Sequence, residues 1–364
     1  MKQSSQNNRV RVVAAGELTD EELVLWKQWL HADDVLRSPC FHPDFTLAVA
    51  AVRNDVRIAV VEDDDGPAAF FPFQRSRLGF GKPVGGRLCD FQGVVARPRF
   101  QFAAGELIRR AGLVAWDFTH VPASQAAFAP YHVAVEPSGY LDLSRGFEAY
   151  VEERRQSGSK TIPKQQRKTR KMEREVGPLR FEPHVPDSHL LRTLMDWKSN
   201  QYRRTGIGDV FAFDWTVALL ERLHRIETPE FRGKLSALYS GEQLVALHFG
   251  MQTATVLHYW FPVYDPAFQE YSPGIALLLE IARDAAETGL RRIDLGKGTE
   301  DFKVSLRTAA IDVAAGSVSG GGVIGGMRQC WSHTRSWLKT SPLGAPARAS
   351  ARLVRPLREW LSFR

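Results

Sequence analysis

The sequence predicts a mixed α/β (α+β) protein of two domains. Two observations predict it. The chain has 364 residues, 44% of them hydrophobic and 24% charged, which is ordinary for a globular protein, fits two domains or one large one, and is enough to bury a sizeable core. Its two halves also read in one element order: strand, turn, strand, strand, helix, strand. No repeated sequence accompanies that order, so the inference rests on a recurring supersecondary unit.

In the first half, residues 9–15 read as a strand and 19–30 as a helix. Thr19 and Glu22 form a capping box there. Residues 43–52 suit a second helix, and 57–61 and 68–75 two strands. The acidic run Glu62, Asp63, Asp64, Asp65 before Gly66-Pro67 reads as a solvated hairpin tip, because no further metal ligand stands near it. Residues 78–93 are rich in glycine. Lys82 after Gly81 is followed by Pro83, which excludes a Walker loop, and a mobile loop over a site is the expectation. Residues 91–96 and 114–119 read as strands around a helix at 100–111.

Between the halves, residues 147–177 carry Arg154, Arg155, Lys160, Lys164, Arg167, Lys168, Arg170, Lys171 and Arg174. This is either a solvated basic helix or a cationic wall facing a phosphorylated or acidic substrate. Helices are expected at 188–204 and 213–226. In the second half, strands at 234–239 and 243–250 flank a turn, and the aromatic strand 255–261 follows. Ser272-Pro273-Gly274 then opens a long apolar helix, with Ser as N-cap and Pro at the first helical position. That helix carries Ile275, Leu278, Leu279 and Ala282 and ends at Gly289, a C-cap signal. A short strand at 292–295 stops at Gly296. The start of such a helix offers free N–H groups and a positive dipole end to a phosphate.

Cys40, Cys89 and Cys330 are far apart with no CxxC spacing, which argues against a disulfide framework or zinc site and fits a reducing compartment. The start of the chain lacks a signal-peptide core, and no run reaches the roughly 20 apolar residues of a membrane span. The expected location is cytoplasmic. The net charge is +7, and residues 327–364 hold eight Lys/Arg and one Glu. The excess base therefore belongs to the tail, and sequence-specific nucleic-acid binding is not expected. Trp337, Leu338, Leu353, Leu357, Trp360 and Leu361 add an apolar face. Such a tail either docks on its own domain or attaches peripherally to an anionic membrane at the inner face.

Val263-Tyr264-Asp265, Ser272-Pro273-Gly274 with its Leu-rich helix, Asp294-Leu295-Gly296-Lys297-Gly298 and Phe302-Lys303 together resemble the acetyltransferase domain of the cellulose-biosynthesis (CelD/BcsL-type) family. That family lies in the GCN5-related N-acetyltransferase (GNAT) superfamily and is related to FemAB-type aminoacyl transferases. The resemblance is best over residues 147–306. It implies tandem GNAT-like acyl-CoA N-acyltransferase domains with mixed, mostly antiparallel sheets flanked by helices. The expected domains are 1–143 (degenerate), 144–315 (acetyltransferase) and 316–364 (Gly-rich linker and basic tail).

The resemblance further implies acetyl-CoA as co-substrate, its thioester and pantetheine beside Tyr259, Trp260 and Phe261, and its pyrophosphate around Tyr271, Ser272, Gly274 and Ile275. The usual motif has Gln or Arg ahead of paired glycines. Tyr271-Ser272-Pro273-Gly274 stands in its place here, which keeps an aminoacyl-tRNA donor open. Acyl transfer needs a base and oxyanion donors. His248, with small Ala246 and Gly250 on its face, Asp294 at a strand end and Lys303 are the catalytic candidates. Each has an ordinary alternative: a core histidine, a turn cap and a surface lysine. The implied acceptor is a sugar or amino-sugar amine or hydroxyl, phosphorylated or lipid-linked, in exopolysaccharide or cellulose-type envelope synthesis. The alternatives are a FemAB-like transferase acting on a cell-wall precursor, and an idle adaptor of a membrane-bound synthase.

Overall fold

The structure, a computed structural model, describes residues 8–321. In chain order its elements are β1 (Arg9–Val13), α1 (Asp20–Leu30), α2 (Pro43–Ala50), β2 (Val56–Asp63), β3 (Gly66–Arg75), β4 (Phe80–Lys82), β5 (Val95–Ala96), α3 (Ala104–Arg110), β6 (Ala115–Pro122) and β7 (His132–Asp142). Then come α4 (Phe147–Gln156), α5 (Thr161–Glu175), β8 (Leu179–Glu182), α6 (Ser188–Thr205), α7 (Asp214–His224), β9 (Phe231–Ser240), β10 (Gln243–Thr253), β11 (Val256–Tyr264), α8 (Pro273–Glu287), β12 (Arg292–Lys297), α9 (Asp301–Leu306) and β13 (Ala309–Ser319). The chain divides into two compact units. Among the described residues one comprises 8–136 with 312–321, the other Pro137–Ile311.

The first unit orders its strands β1-β2-β3-β4-β6-β13, with β5 on β3. Only β4 and β6 run parallel; the other neighbours are antiparallel. Alternation along β3 sets its two faces. Phe70 turns to α1, where it stacks on Trp26 at 5.0 Å. Phe71 turns to the opposite core, where it meets Trp116 edge-on at 5.0 Å and lies with Leu107 and Ile108 of α3. The capping box of α1 is present: the Glu22 amide donates to Thr19 Oγ1 at 3.2 Å and the Thr19 amide to Glu22 Oε2 at 2.9 Å.

The second unit orders its strands β8-β9-β10-β11-β12-β7. Again one pair, β11 with β12, is parallel, and the rest are antiparallel. The parallel pair occupies the same place as in the first unit, so the expected α/β fold of mixed, mostly antiparallel sheets with helices is met in both. Helices α4, α5 and α8 share a core with Leu257 and Tyr259 of β11. Helix α6 lies against β10 and β11, and α7 against β9. Helix α8 closes in a Schellman turn, with the Leu290 amide on Ala285 O at 2.8 Å and the Gly289 amide on Ala286 O at 3.2 Å. Gly289 takes φ 84° there.

Two glycine-rich stretches differ from expectation. Residues 78–93 are not a loose loop: β4 joins β3 and β6. Gly81 is required by packing, since a Cβ there would lie 2.8 Å from Leu113 Cδ1. Residues 316–319 are strand rather than linker, pairing with β6 from Gly316 to Ser319. A Cβ on Gly316 would fall 2.0 Å from Tyr131 O and 2.6 Å from Phe118 Cζ. Both glycines serve close approach, not flexibility. Strands β7 and β8 and helix α9 were not expected. The basic apolar tail at 327–364 and Cys330 lie outside the described residues.

Candidate active site

Strands β11 and β12 pair in parallel only at Val256 to His258 against Arg292 to Asp294. Both continue beyond that point, β11 to Tyr264 and β12 to Lys297. The register of β12 on β7 also shifts between Asp294 and Gly296, where Gly296 takes φ 72°. The backbone of Tyr259, Trp260 and Phe261 thus lies on the stretch of β11 that β12 has left. A strand side that its neighbour has left is a place for a ligand to add its own hydrogen bonds.

Tyr259 parts from the other two aromatics, beside the register shift of the β10–β11 pair. Tyr259, 5% exposed, turns to α8, and its hydroxyl donates to Gly274 O at 3.5 Å. Burial raises its pKa, so it stays a neutral donor. Trp260 and Phe261 pack together, tilted, at 4.6 Å, and Phe261 meets Phe211 at 5.2 Å.

The start of α8 is built differently from the expected cap. Ser272 sits in the left-handed region at φ 51°, ψ 55°, and its hydroxyl caps no amide. It accepts instead from Lys168 Nζ of α5 at 2.8 Å. Pro273 has no N–H, and the Ile275 and Ala276 amides return to Ser272 O at 3.0 and 3.3 Å. The Gly274 amide is therefore the first-turn donor directed away from the helix. A non-glycine residue held in the left-handed region costs about 1–3 kcal/mol and persists only when its surroundings fix it. Helix α5 supplies that fixing: Gln165 Nε2 donates to Tyr271 O at 3.0 Å, and Tyr271 Oη donates to Glu175 Oε2 at 2.7 Å. That carboxylate is the first cause of a raised Tyr271 pKa, with desolvation second. So Tyr271, Ser272 and Gly274 come together, and the amine of Lys168 stands at the positive end of α8.

His248 of β10 is wholly buried and stacks on Tyr259 at 4.3 Å. Neither ring nitrogen has a hydrogen-bond partner among the described residues. Burial first, then the charges of Lys234, His258 and Lys198, hold its pKa well below the usual histidine range. It is a neutral ring at pH 7. Asp294 is 1% exposed and pairs with Arg292, Nε to Oδ1 at 2.8 Å, whose guanidinium lies over the Tyr140 ring at 5.6 Å. Lys303 donates to Lys297 O at 2.8 Å and lies 3.6 Å from Glu300.

The sequence reading passed over Lys198. This half-buried residue of α6 donates from Nζ to Pro262 O of β11 at 2.8 Å. Burial is the main cause that lowers its pKa to about 8, with the Lys303 charge adding and Glu300 opposing. Nothing in Trp197-Lys198-Ser199 separates it from a surface helical lysine. Lys168 likewise was one base among many.

Residues 159–304 match the family described as acetyltransferase (GNAT) domain. The matched segment is an acyltransferase domain. It spans α5 to α9, and so contains the opened strand pair and the α8 start. By structure the chain is similar to a conserved protein of unknown function from Bacteroides thetaiotaomicron, with TM-score 0.51, 12% identity, and 82% of this chain and 98% of that one covered. It is also similar to FemX, with TM-score 0.50, 9% identity, and 76% and 90% covered. A tandem GNAT protein from the clavulanic acid biosynthesis pathway gives TM-score 0.47 and 13% identity, with 87% and 99% covered. At these identities the likeness is one of fold. No curated protein matches the chain.

Proposed function

We propose that the protein transfers an acyl group from acetyl-CoA to an amine or hydroxyl acceptor. The observation that carries this is the opened β11–β12 pair with the Lys168–Ser272 contact at the start of α8. An extended arm can add to the backbone at 259–261. A pyrophosphate can take the Gly274 amide, the positive helix end and the Lys168 amine, a donor set suited to an anion. The residues thus fit coenzyme A even though the usual paired glycines are missing. Transfer proceeds directly from donor to acceptor in a ternary complex.

The acceptor in this reading is a sugar or amino sugar of polysaccharide or cell-envelope synthesis, of the cellulose-biosynthesis type. Its support is the resemblance at residues 147–306. A second reading, an aminoacyl-tRNA donor as in FemAB-type enzymes, is favoured by one observation. Lys164, Arg167, Arg170 and Arg174 are all exposed on α5, beside the Ser272 contact, and present a basic face suited to a polyanion.

Calorimetry with acetyl-CoA tests the first reading. We expect binding by the wild-type protein, and at least about a tenfold loss in Lys168→Ala or Gly274→Phe, corresponding to about 1.4 kcal/mol. An absence of binding to wild type, with charged tRNA retained on a filter, would favour the second reading. Equal affinity in all three proteins would remove the site from the α8 start.

A further inference from the structure

We propose that Lys198 is the proton acceptor of the transfer step, a deeper reading that rests on the acyltransferase function above. Its geometry is the starting point. Lys198 is held on Pro262 O, four residues past the last residue of β11 that pairs with β12. Lys303 is held on Lys297 O, at the end of β12. Each strand therefore carries a lysine amine beyond the point where the two separate.

A base must be reachable, able to shed its proton near neutrality, and fixed in place. Two other candidates, His248 and Asp294, fail one of these conditions. His248 is wholly buried behind Tyr259. Asp294 is almost wholly buried and committed to Arg292. Lys198 is only half-buried. The hydrogen bond to Pro262 O uses an N–H that the amine retains after losing its proton, so anchoring and basicity do not compete. The lone pair of the neutral amine is then directed elsewhere than the carbonyl.

The charges facing this amine are Lys303 and Glu300 from the segment after β12; the nearby His248 ring of β10 is neutral. On its own helix the Tyr202 ring lies 5.4 Å from the ammonium. The positive Lys303 and burial both favour the neutral amine, with Glu300 opposing. A value near 8 leaves a usable neutral fraction at pH 7, as catalytic lysines require.

In the step itself, the acceptor nitrogen or oxygen bonds to the acyl carbon of the thioester. The acceptor's proton passes to Lys198 Nζ. The C–S bond breaks with its electron pair on sulfur, and the thiolate recovers a proton from the Lys198 ammonium or from water.

The decisive variant is Lys198→Arg in the full chain. Arginine keeps the charge and can still donate to Pro262 O, but it does not deprotonate. Thiol release from acetyl-CoA with glucosamine as probe acceptor should rise with pH through about 8 in wild type. In Lys198→Arg, kcat should fall by about 100-fold or more and the rising limb should vanish, while acetyl-CoA affinity by calorimetry stays unchanged. Retained kcat with the same pH limb would overturn the assignment and leave the acyltransferase reading standing. Failure of wild type to bind acetyl-CoA would instead remove the donor on which both depend. A measurement on wild type covers the case in which the variant does not fold. Acetic anhydride labelling of Lys198, read by peptide mass spectrometry across pH, should reach half its limiting rate near pH 8. A midpoint above 10 would overturn the proposal.

Discussion

Replacing Lys198 with methionine should make the protein more stable at neutral pH. The side chain is held charged in a poorly hydrated place, and its pKa falls from 10.5 to about 8. That drop corresponds to a penalty of about 3 kcal/mol at pH 7, where the amine is protonated in both folded and unfolded chains. The sign follows from proton binding: between 8 and 10.5 the unfolded state holds the proton and the folded state does not, so stability rises with pH there. At pH 9.5 the remaining penalty is about 1.4 kcal/mol. Methionine removes the charge at similar length but forfeits the bond to Pro262 O, worth about 1 kcal/mol. The net gain is therefore about 2 kcal/mol at pH 7 and close to zero at pH 9.5. Urea unfolding of both proteins at a series of pH values measures it. A difference independent of pH, or a destabilised variant at pH 7, would refute the reasoning. A gain in stability together with lost turnover is the usual mark of a functional group held at a cost.

Other outcomes are expected. Gly250→Ala should cost several kcal/mol, because its Cβ would fall 2.3 Å from His258 O and 2.7 Å from His248 Cε1; an unchanged urea midpoint would contradict this. Asp294→Asn leaves the Arg292 guanidinium buried without its counter-charge and should cost about 3 kcal/mol or more, read by thermal melting with turnover measured per folded molecule. For the tail, each basic residue near an anionic surface contributes about 1 kcal/mol at low salt. The full chain should then sediment with anionic vesicles, and a chain ending at Gly326 should not; equal sedimentation would place the contact elsewhere.

The run from β11 through α8 to β12 was legible because its signals are local. A proline follows Ser272, apolar residues recur at helical spacing, and Gly289 marks the end. The same locality explains what was hidden. Ser272 obeys a capping rule in sequence, but its hydroxyl is taken by Lys168, a residue 104 positions earlier. Lys198 owes its altered acidity to burial and to charges beyond its own helix. The strand β7 contains Pro137 and Gly139, which mask its pattern. In β13, glycine meant close packing against Tyr131 and Phe118, whereas composition alone suggested a spacer. The divergence of β11 from β12 lies in register, which no single-strand pattern reveals.

The return of β13 to the first unit has a bearing on synthesis. A ribosome completes Pro137–Ile311 before it makes the strand that closes the sheet of residues 1–136. The later unit can therefore reach its native state first, while the earlier one waits with β6 open along one side. An open strand edge is a site for wrong pairing with another nascent chain. Ribosome stalling or premature termination near residue 311 would harm the amino-terminal half, not the half being made at that moment. Pulse proteolysis of stalled chains would show it as protection appearing at residues 137–311 before residues 9–122.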